Sequence, residues 1–194
     1  MIAVLGEDDS DVEMLKHLIW KLTGSKSIQI KTKGYRSKGA VFVKGRRDIE
    51  TFAKLGSKFF IVCVDSDGED VMELRRRMTG DLLPATEIGK RSCCVIPVQE
   101  IEAWILADLK AVTKVITSWN PKHVKNPESI PSPKEYLEKL SKAENKRPRY
   151  SHATHNEKVA NHLDISILDR SCPSFKIFSD FIRSNFECKS SDHS

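Results

Sequence analysis

The run Phe59-Phe60-Ile61-Val62-Cys63-Val64 constrains this chain more than any other feature. It is continuously apolar, mixes aromatic with β-branched residues, and stops abruptly on Asp65. Such a run is too short for a buried helix, which needs ~10–12 residues, and far too short for a membrane span, which needs ~20. A central strand buried on both faces is left, the pattern of parallel sheets covered by helices.

The flanking segments repeat the theme. Ile2–Leu5 reads as a first strand. Val12, Leu15, Leu18, Ile19 and Leu22 then recur at helical spacing, with Ser10 or Asp9 as N-cap and Gly24 as the stop. Ser27–Thr32 alternates like a half-buried strand, and a further strand is expected at about Ala40–Val43. Helices follow at about Arg47–Leu55, ended by Gly56, and at about Asp70–Met78. Cys93–Pro97 is another buried strand, continued by a helix from Glu100 to about Asp108. Within it Ile101, Trp104, Ile105 and Asp108 share a face, which assigns Trp104 to the core. Strand and helix in alternation predict an α/β sheet of about four mostly parallel strands with helices on its faces.

The pattern changes after Trp119. Asn120–Pro133 holds four prolines and no apolar periodicity. Short helical patterns follow near Lys134–Leu140, Glu157–Leu163 and Phe175–Ile182, with no strand. The expected organisation is a core over residues 1–119, a helical extension packed on it over 120–188, and a disordered tail over 189–194. A chain of 194 residues, 39% hydrophobic and 30% charged, suits one ordinary core and excludes collagen, low complexity and wholesale disorder. Five cysteines, with no Cys-x-x-Cys and three of them in apolar runs, read as reduced buried thiols of a cytoplasmic protein. Met1–Leu5 has no basic region, so no leader is expected, and no apolar run suggests a membrane partner.

Acidic residues fall just past the predicted strand ends: Glu7 after the first, Asp65 and Asp67 after the central run, Glu100 and Glu102 after Cys93–Pro97. In open α/β sheets the ligand crevice lies outside the carboxyl ends of the strands. Taken singly, an Asp-x-Asp serves turns and caps, and Glu7 would be a solvated loop acid. Together, each at its own strand end, they repel one another unless a divalent cation or basic neighbours intervene. Hard oxygen donors suit Mg²⁺ or Mn²⁺, whose remaining positions take water and phosphate oxygens, so a phosphate ester is the natural substrate.

Two family patterns fit single segments. Val4-Leu5-Gly6-Glu7-Asp8-Asp9 resembles the opening of a response-regulator receiver, but Ile96-Pro97 lacks the Lys-Pro expected there. Asp65-Ser66-Asp67-Gly68 resembles the haloacid-dehalogenase Asp-x-Asp, which that family carries on its first strand. The order Glu7, then Asp65 and Asp67, is similar to the Toprim domains of topoisomerases, primases and the overcoming-lysogenization-defect (OLD) nucleases. Gly6-Glu7-Asp8-Asp9-Ser10-Asp11 with Leu15 is similar to the OLD opening. A resemblance covering nearly the whole chain is to the DUF4276 family of small Toprim-like proteins. It rests on Pro97-Val98-Gln99-Glu100-Ile101-Glu102-Ala103-Trp104-Ile105-Leu106-Ala107-Asp108, on Asn126-Pro127-Glu128, Pro133-Lys134 and Tyr150-Ser151, and on Cys172-Pro173-Ser174-Phe175. His152 stands where the family pattern has Lys.

The resemblance implies a Toprim-like Rossmann-type sheet with a helical C-terminal extension. It also implies a Mg²⁺- or Mn²⁺-dependent endonuclease, an ABC- or AAA-type ATPase partner and a role in bacterial anti-phage defence. Glu7, Asp65 and Asp67 are the candidate catalytic residues, and Glu7, Asp11, Asp65, Asp67, Glu100 and Glu102 the candidate metal ligands. The alternative from another class is a non-catalytic subunit that binds nucleic acid or an ATPase.

A net charge of +5 permits a polyanionic partner without demanding one. Two basic stretches are candidate nucleic-acid contacts: Lys33, Arg36 and Lys38 with Tyr35 between them, and Lys146, Arg147 and Arg149 beside Tyr150. The first is read as a loop that precedes a strand, which sets it at the end of the sheet opposite the crevice. Arg75–Arg77 spreads around one helix, as for ordinary ion pairing, and His152 with His155 lacks the partners a zinc site needs.

Overall fold

Every residue of β1 (Ile2–Gly6) is apolar or glycine and every one is buried, so it needs a neighbour on each side. It has them in the computed structural model, which describes residues 1–143 and 147–186. β1 pairs in parallel with β2 (Ile30–Gly34), Val4 opposite Thr32, and with β3 (Phe59–Cys63), Val4 opposite Ile61. β3 pairs in parallel with β4 (Ser92–Val95), Ile61 opposite Cys93, which completes the order β2-β1-β3-β4. The expected α/β class, with its parallel sheet between helices, is what the chain adopts.

Side chains alternate across a strand, so each strand feeds two layers. Ile2, Val4, Ile61, Cys63, Cys93 and Val95 face α1 (Asp9–Thr23), α5 (Glu102–Ala107) and α6 (Leu109–Val115). Ala3, Leu5, Phe60, Val62 and Cys94 face α2 (Lys38–Lys54) and α3 (Val71–Arg77). A short α4 (Glu87–Lys90) leads into β4. The first layer continues without a break into the extension, made of α7 (Pro133–Ser141), α8 (His152–Ala160), α9 (Ile165–Ser171) and α10 (Pro173–Phe186). Leu137, Tyr150, Val159, Leu168, Phe175 and Phe178 belong to the same apolar cluster as the sheet residues. Trp104 is at its centre, fully buried, edge-on to Phe175, stacked on Phe178, its indole N–H donating to Ser174 Oγ at 2.8 Å. The four described cysteines, Cys63, Cys93, Cys94 and Cys172, are free and buried. Among the described residues no helix is long and apolar enough to cross a membrane.

Two local expectations need correcting. Ala40–Val43 is not a strand but the first turn of α2. Ser37 caps that helix by accepting from Ala40 N at 3.2 Å, and Val41, Gly45 and Ile49 recur at helical spacing on its buried face. Val43, β-branched and strand-like in sequence, is left 82% exposed. The strand expected at Ser27–Thr32 runs instead from Ile30 to Gly34, so Lys31 and Lys33 lie in an edge strand rather than a loop. These shifts reverse an inference: the turn Tyr35–Ser37, which carries Arg36, follows β2 instead of preceding a strand, and it emerges at the carboxyl edge beside Glu7. The tail expected over 189–194 lies outside the described residues.

A carboxylate centre at the carboxyl edge of the sheet

The loop from β1 to α1 crosses the end of β2 so closely that a Cβ on Gly34 would lie 2.5 Å from the Asp8 and Asp9 backbone. Tyr35 N donates to Gly6 O and Glu7 O at 3.1 and 3.2 Å, which fixes that loop. Glu7 Oε1 accepts from Asp65 N at 3.0 Å, and its carboxylate also accepts from the Lys38 amide at the start of α2. One side chain thereby joins the ends of β1 and β3 to a helix N-terminus. The cap of α1 is Asp8, rather than Ser10 or Asp9: Asp8 Oδ1 accepts from Ser10 N at 2.7 Å and Asp11 N at 3.1 Å. That cap sets Asp11 in the first turn, 7% exposed.

Glu7, Asp11, Asp65 and Glu102 share one electrostatic environment. Burial raises the Asp65 carboxyl well above its ordinary value, and the charges of Asp11, Glu102 and Glu7 raise it further. Asp11 is raised likewise, by burial and then by Asp8, Glu102 and Glu7. Burial also raises Glu7 and Glu102. Glu102, 3% exposed, is held by Asn156 Nδ2 at 3.0 Å, and Asn156 Oδ1 accepts from the Tyr150 hydroxyl. The two remaining acids are placed differently. Asp67 is exposed and paired with Lys38 Nζ at 2.8 Å. Glu100 Oε2 accepts from Lys134 N at 2.9 Å and Oε1 lies 3.6 Å from its Nζ, so it anchors the start of α7.

Lys134, placed by the sequence only in the family pattern and at the start of a helical stretch, is the residue whose place at this centre the sequence did not disclose. Burial works against its ammonium, yet Glu102, Glu100 and Asp65 hold its pKa above the ordinary value. Ser132-Pro133-Lys134 announces a helix start and nothing about a charge aimed at a crevice. Asn156 carried no signal either. Tyr150 stands in the family pattern and beside the second basic stretch, neither of which points to this centre, and burial with nearby carboxylates raises its hydroxyl far above the ordinary value.

The crevice loops hold unusual backbone. Arg36, Asp67 and Gln99 lie in the loops after β2, β3 and β4, with φ of 70°, 48° and 63°. Left-handed conformations cost non-glycine residues about 1–2 kcal/mol, so packing must enforce them. Ser66 Oγ accepts from Gln99 N at 2.7 Å and Asp67 N donates to Gln99 O at 3.0 Å, which laces the β3 and β4 loops together.

Of the basic candidates, Lys33 pairs with Asp48 at 3.0 Å and Lys38 with Asp67 and Glu69 at 2.8 Å each. Arg36, Arg147 and Arg149 are exposed, and Arg149 also donates to Ser118 O. Lys146 lies outside the described residues. His155 Nδ1 accepts from Ser151 N at 3.0 Å, while His152 Nδ1 is buried without a partner. Arg75 donates to Cys94 O, Arg76 pairs with Glu73 and Arg77 with Glu69, as expected of a structural run.

Half-buried Glu7 and Asp65 from two strand ends and buried Asp11 and Glu102 from two helices, with the Lys134 ammonium beside them, gather hard oxygen donors at one edge of the sheet. A family model described as Domain of unknown function (DUF4276) matches residues 6–183, a span that takes in every residue of this centre. No curated protein and no solved structure matches the chain.

Proposed function

We infer a function from two premises: the chain belongs to the DUF4276 family, and buried and half-buried carboxylates from separate elements meet at the carboxyl edge of its sheet. The reading is a Mg²⁺- or Mn²⁺-dependent phosphodiesterase of Toprim type, a nuclease acting on DNA or RNA. The observation that carries it is that Asp65 bears the charges of Asp11, Glu102 and Glu7, and Asp11 those of Glu102 and Glu7, while burial raises all four carboxyls above their ordinary values. Carboxylates crowded in this way, with one ammonium beside them, are costly to ionise together unless a cation joins them.

Glu7, Asp11 and Asp65 would hold the cation, and Glu102, oriented by Asn156, would complete the set. The bound ion supplies charge to the phosphate oxygens and lowers the pKa of water. The chain's own groups do the rest. Glu7, its affinity for protons raised by burial, is suited to take a proton from the attacking water. The Lys134 ammonium would stabilise negative charge gathering on the phosphoryl oxygens. Lys38 holds Asp67 at the rim, and exposed Arg147 and Arg149, which precede Tyr150, would meet a phosphate backbone. Resemblance to the OLD nucleases extends the proposal to an ATPase partner and a part in anti-phage defence.

The test is cleavage of labelled DNA and RNA with Mg²⁺, Mn²⁺ or EDTA, for wild type, Asp65→Asn and Lys134→Met. Metal-dependent cleavage lost in both folded variants is the expected result. Undiminished cleavage in Asp65→Asn overturns the site. Nucleic-acid binding by wild type with no cleavage, even beside its ATPase, favours the non-catalytic subunit.

A further inference from the structure

The face of α1 that meets α8 holds a second set of ligand-type groups. Glu13 and His17 stand one turn apart on α1, and Glu157 approaches them from α8. One ligand atom from each lies within 4.8 Å of the others. Residues two apart on a helix do not face each other, so Glu13 is turned away from Asp11 and the set is separate from the carboxylate centre.

Hydrogen bonds orient the His17 ring and leave one of its nitrogens facing Glu157. Asn161 Nδ2 donates to Glu157 O at 3.2 Å, which fixes the orientation of the amide. Asn161 Oδ1 then faces His17 Nδ1 at 2.8 Å and must accept, so the ring proton belongs on Nδ1. The other nitrogen, Nε2, lies 3.0 Å from Glu157 Oε1, a contact that either a proton or a metal ion can bridge. Meanwhile Thr32 Oγ1 donates to Glu13 Oε1 at 2.8 Å, and Lys16 Nζ already sits 2.7 Å from Oε2. His17 is therefore oriented from behind by neutral Asn161 and Glu13 by neutral Thr32, as metal ligands are, while the Lys16 ammonium holds the second Glu13 oxygen.

We propose that Glu13, His17 and Glu157 bind a borderline transition-metal dication of the Zn²⁺ type, and that the ion ties α8 of the extension to α1 of the core. One imidazole and two carboxylates, with positions left for water, suit zinc. The hard-oxygen preference of Mg²⁺ makes it a poor occupant. His17 is only 12% exposed at its side chain and Glu157 54%, so an ion can enter from the Glu157 side while the imidazole stays in place.

The experiment is calorimetric titration of the full chain with ZnCl₂, with zinc counted after buffer exchange. Wild type is expected to take up an equivalent of zinc that Mg²⁺ does not displace, and to melt at higher temperature with it. His17→Ala and Glu157→Gln should lose that equivalent, the second at an exposed position that leaves folding intact. Asn161→Ala should weaken it ~10–100-fold. Asp65→Asn, which alters the carboxylate centre, should retain it, so the zinc site and the phosphodiesterase reading stand or fall separately. Equal zinc uptake by wild type, His17→Ala and Glu157→Gln, or none by wild type, overturns the proposal; the second result leaves a protonated His17 as the cation.

Discussion

Asp65 bears the charges of Asp11, Glu102 and Glu7 inside a buried setting, so its replacement should separate two properties often lost together. A carboxyl whose folded pKa exceeds its unfolded value opposes folding once ionised, so neutral Asp65→Asn is expected to melt above the metal-free wild type at pH 7.5. Mg²⁺ or Mn²⁺ is expected to raise the melting temperature of wild type and not that of the same variant, read in one calorimetric series with and without metal. Asn156→Ala tests the layer behind: freeing Glu102 and the Tyr150 hydroxyl should weaken metal binding ~10–100-fold by titration. Glu7 and Asp65 could be found in the sequence because each stands directly after an apolar strand, and a strand end is a fixed place in a parallel sheet. Lys134 and Asn156 could not, because no local pattern says that a helix of the extension reaches that edge. His17 and Glu157 make the same point, 140 residues apart yet 3.0 Å apart in space.

At the scale of elements, caps decide where the site residues stand. Asp8→Ala removes the N-cap of α1 and is expected to cost about 1 kcal/mol in chemical denaturation. It should also weaken metal binding, since the capped turn positions Asp11. A capping role without a site role would show the stability loss alone. The helix α2 explains why one stretch misled: Ala40-Val41-Phe42-Val43 has the composition of a strand, yet Ser37 behind it and Gly45, Asp48 and Ile49 ahead complete a helical face. Four residues are too few for composition to overrule the longer period. The strands at Ile2, Phe59 and Ser92 were legible because each is an apolar run bounded by polar residues. β2, an edge strand carrying Lys31 and Lys33, has no such contrast and was displaced by two to three residues in the reading.

For the whole molecule, acid sensitivity should trace to tertiary ion pairs. Burial alone would raise the Asp48 carboxyl, but the Tyr35 hydroxyl at 2.7 Å and Lys33 at 3.0 Å hold it below the ordinary value. A depressed folded pKa gives stability that is complete above the unfolded value, near 3.9, and lost as pH falls through the folded one. Wild type should therefore exceed Asp48→Asn by about 1–3 kcal/mol at pH 7, with the gap closing below about pH 4 in urea melts. Because Trp104 packs on Phe175 and Phe178 of α10, a chain cut after Trp119 is expected to show no cooperative thermal transition. The sequence by itself determined the α/β alternation, the buried central strand and the acids at strand ends, since periodicity and abrupt polarity changes act over a few neighbouring residues. Only the tertiary structure decided that the basic loop emerges beside Glu7, that Glu102 joins Asp11 and Asp65 while Glu100 turns to Lys134, and that the extension completes the site. Those outcomes depend on strand order and helix packing, which contacts between distant segments select and no local pattern records.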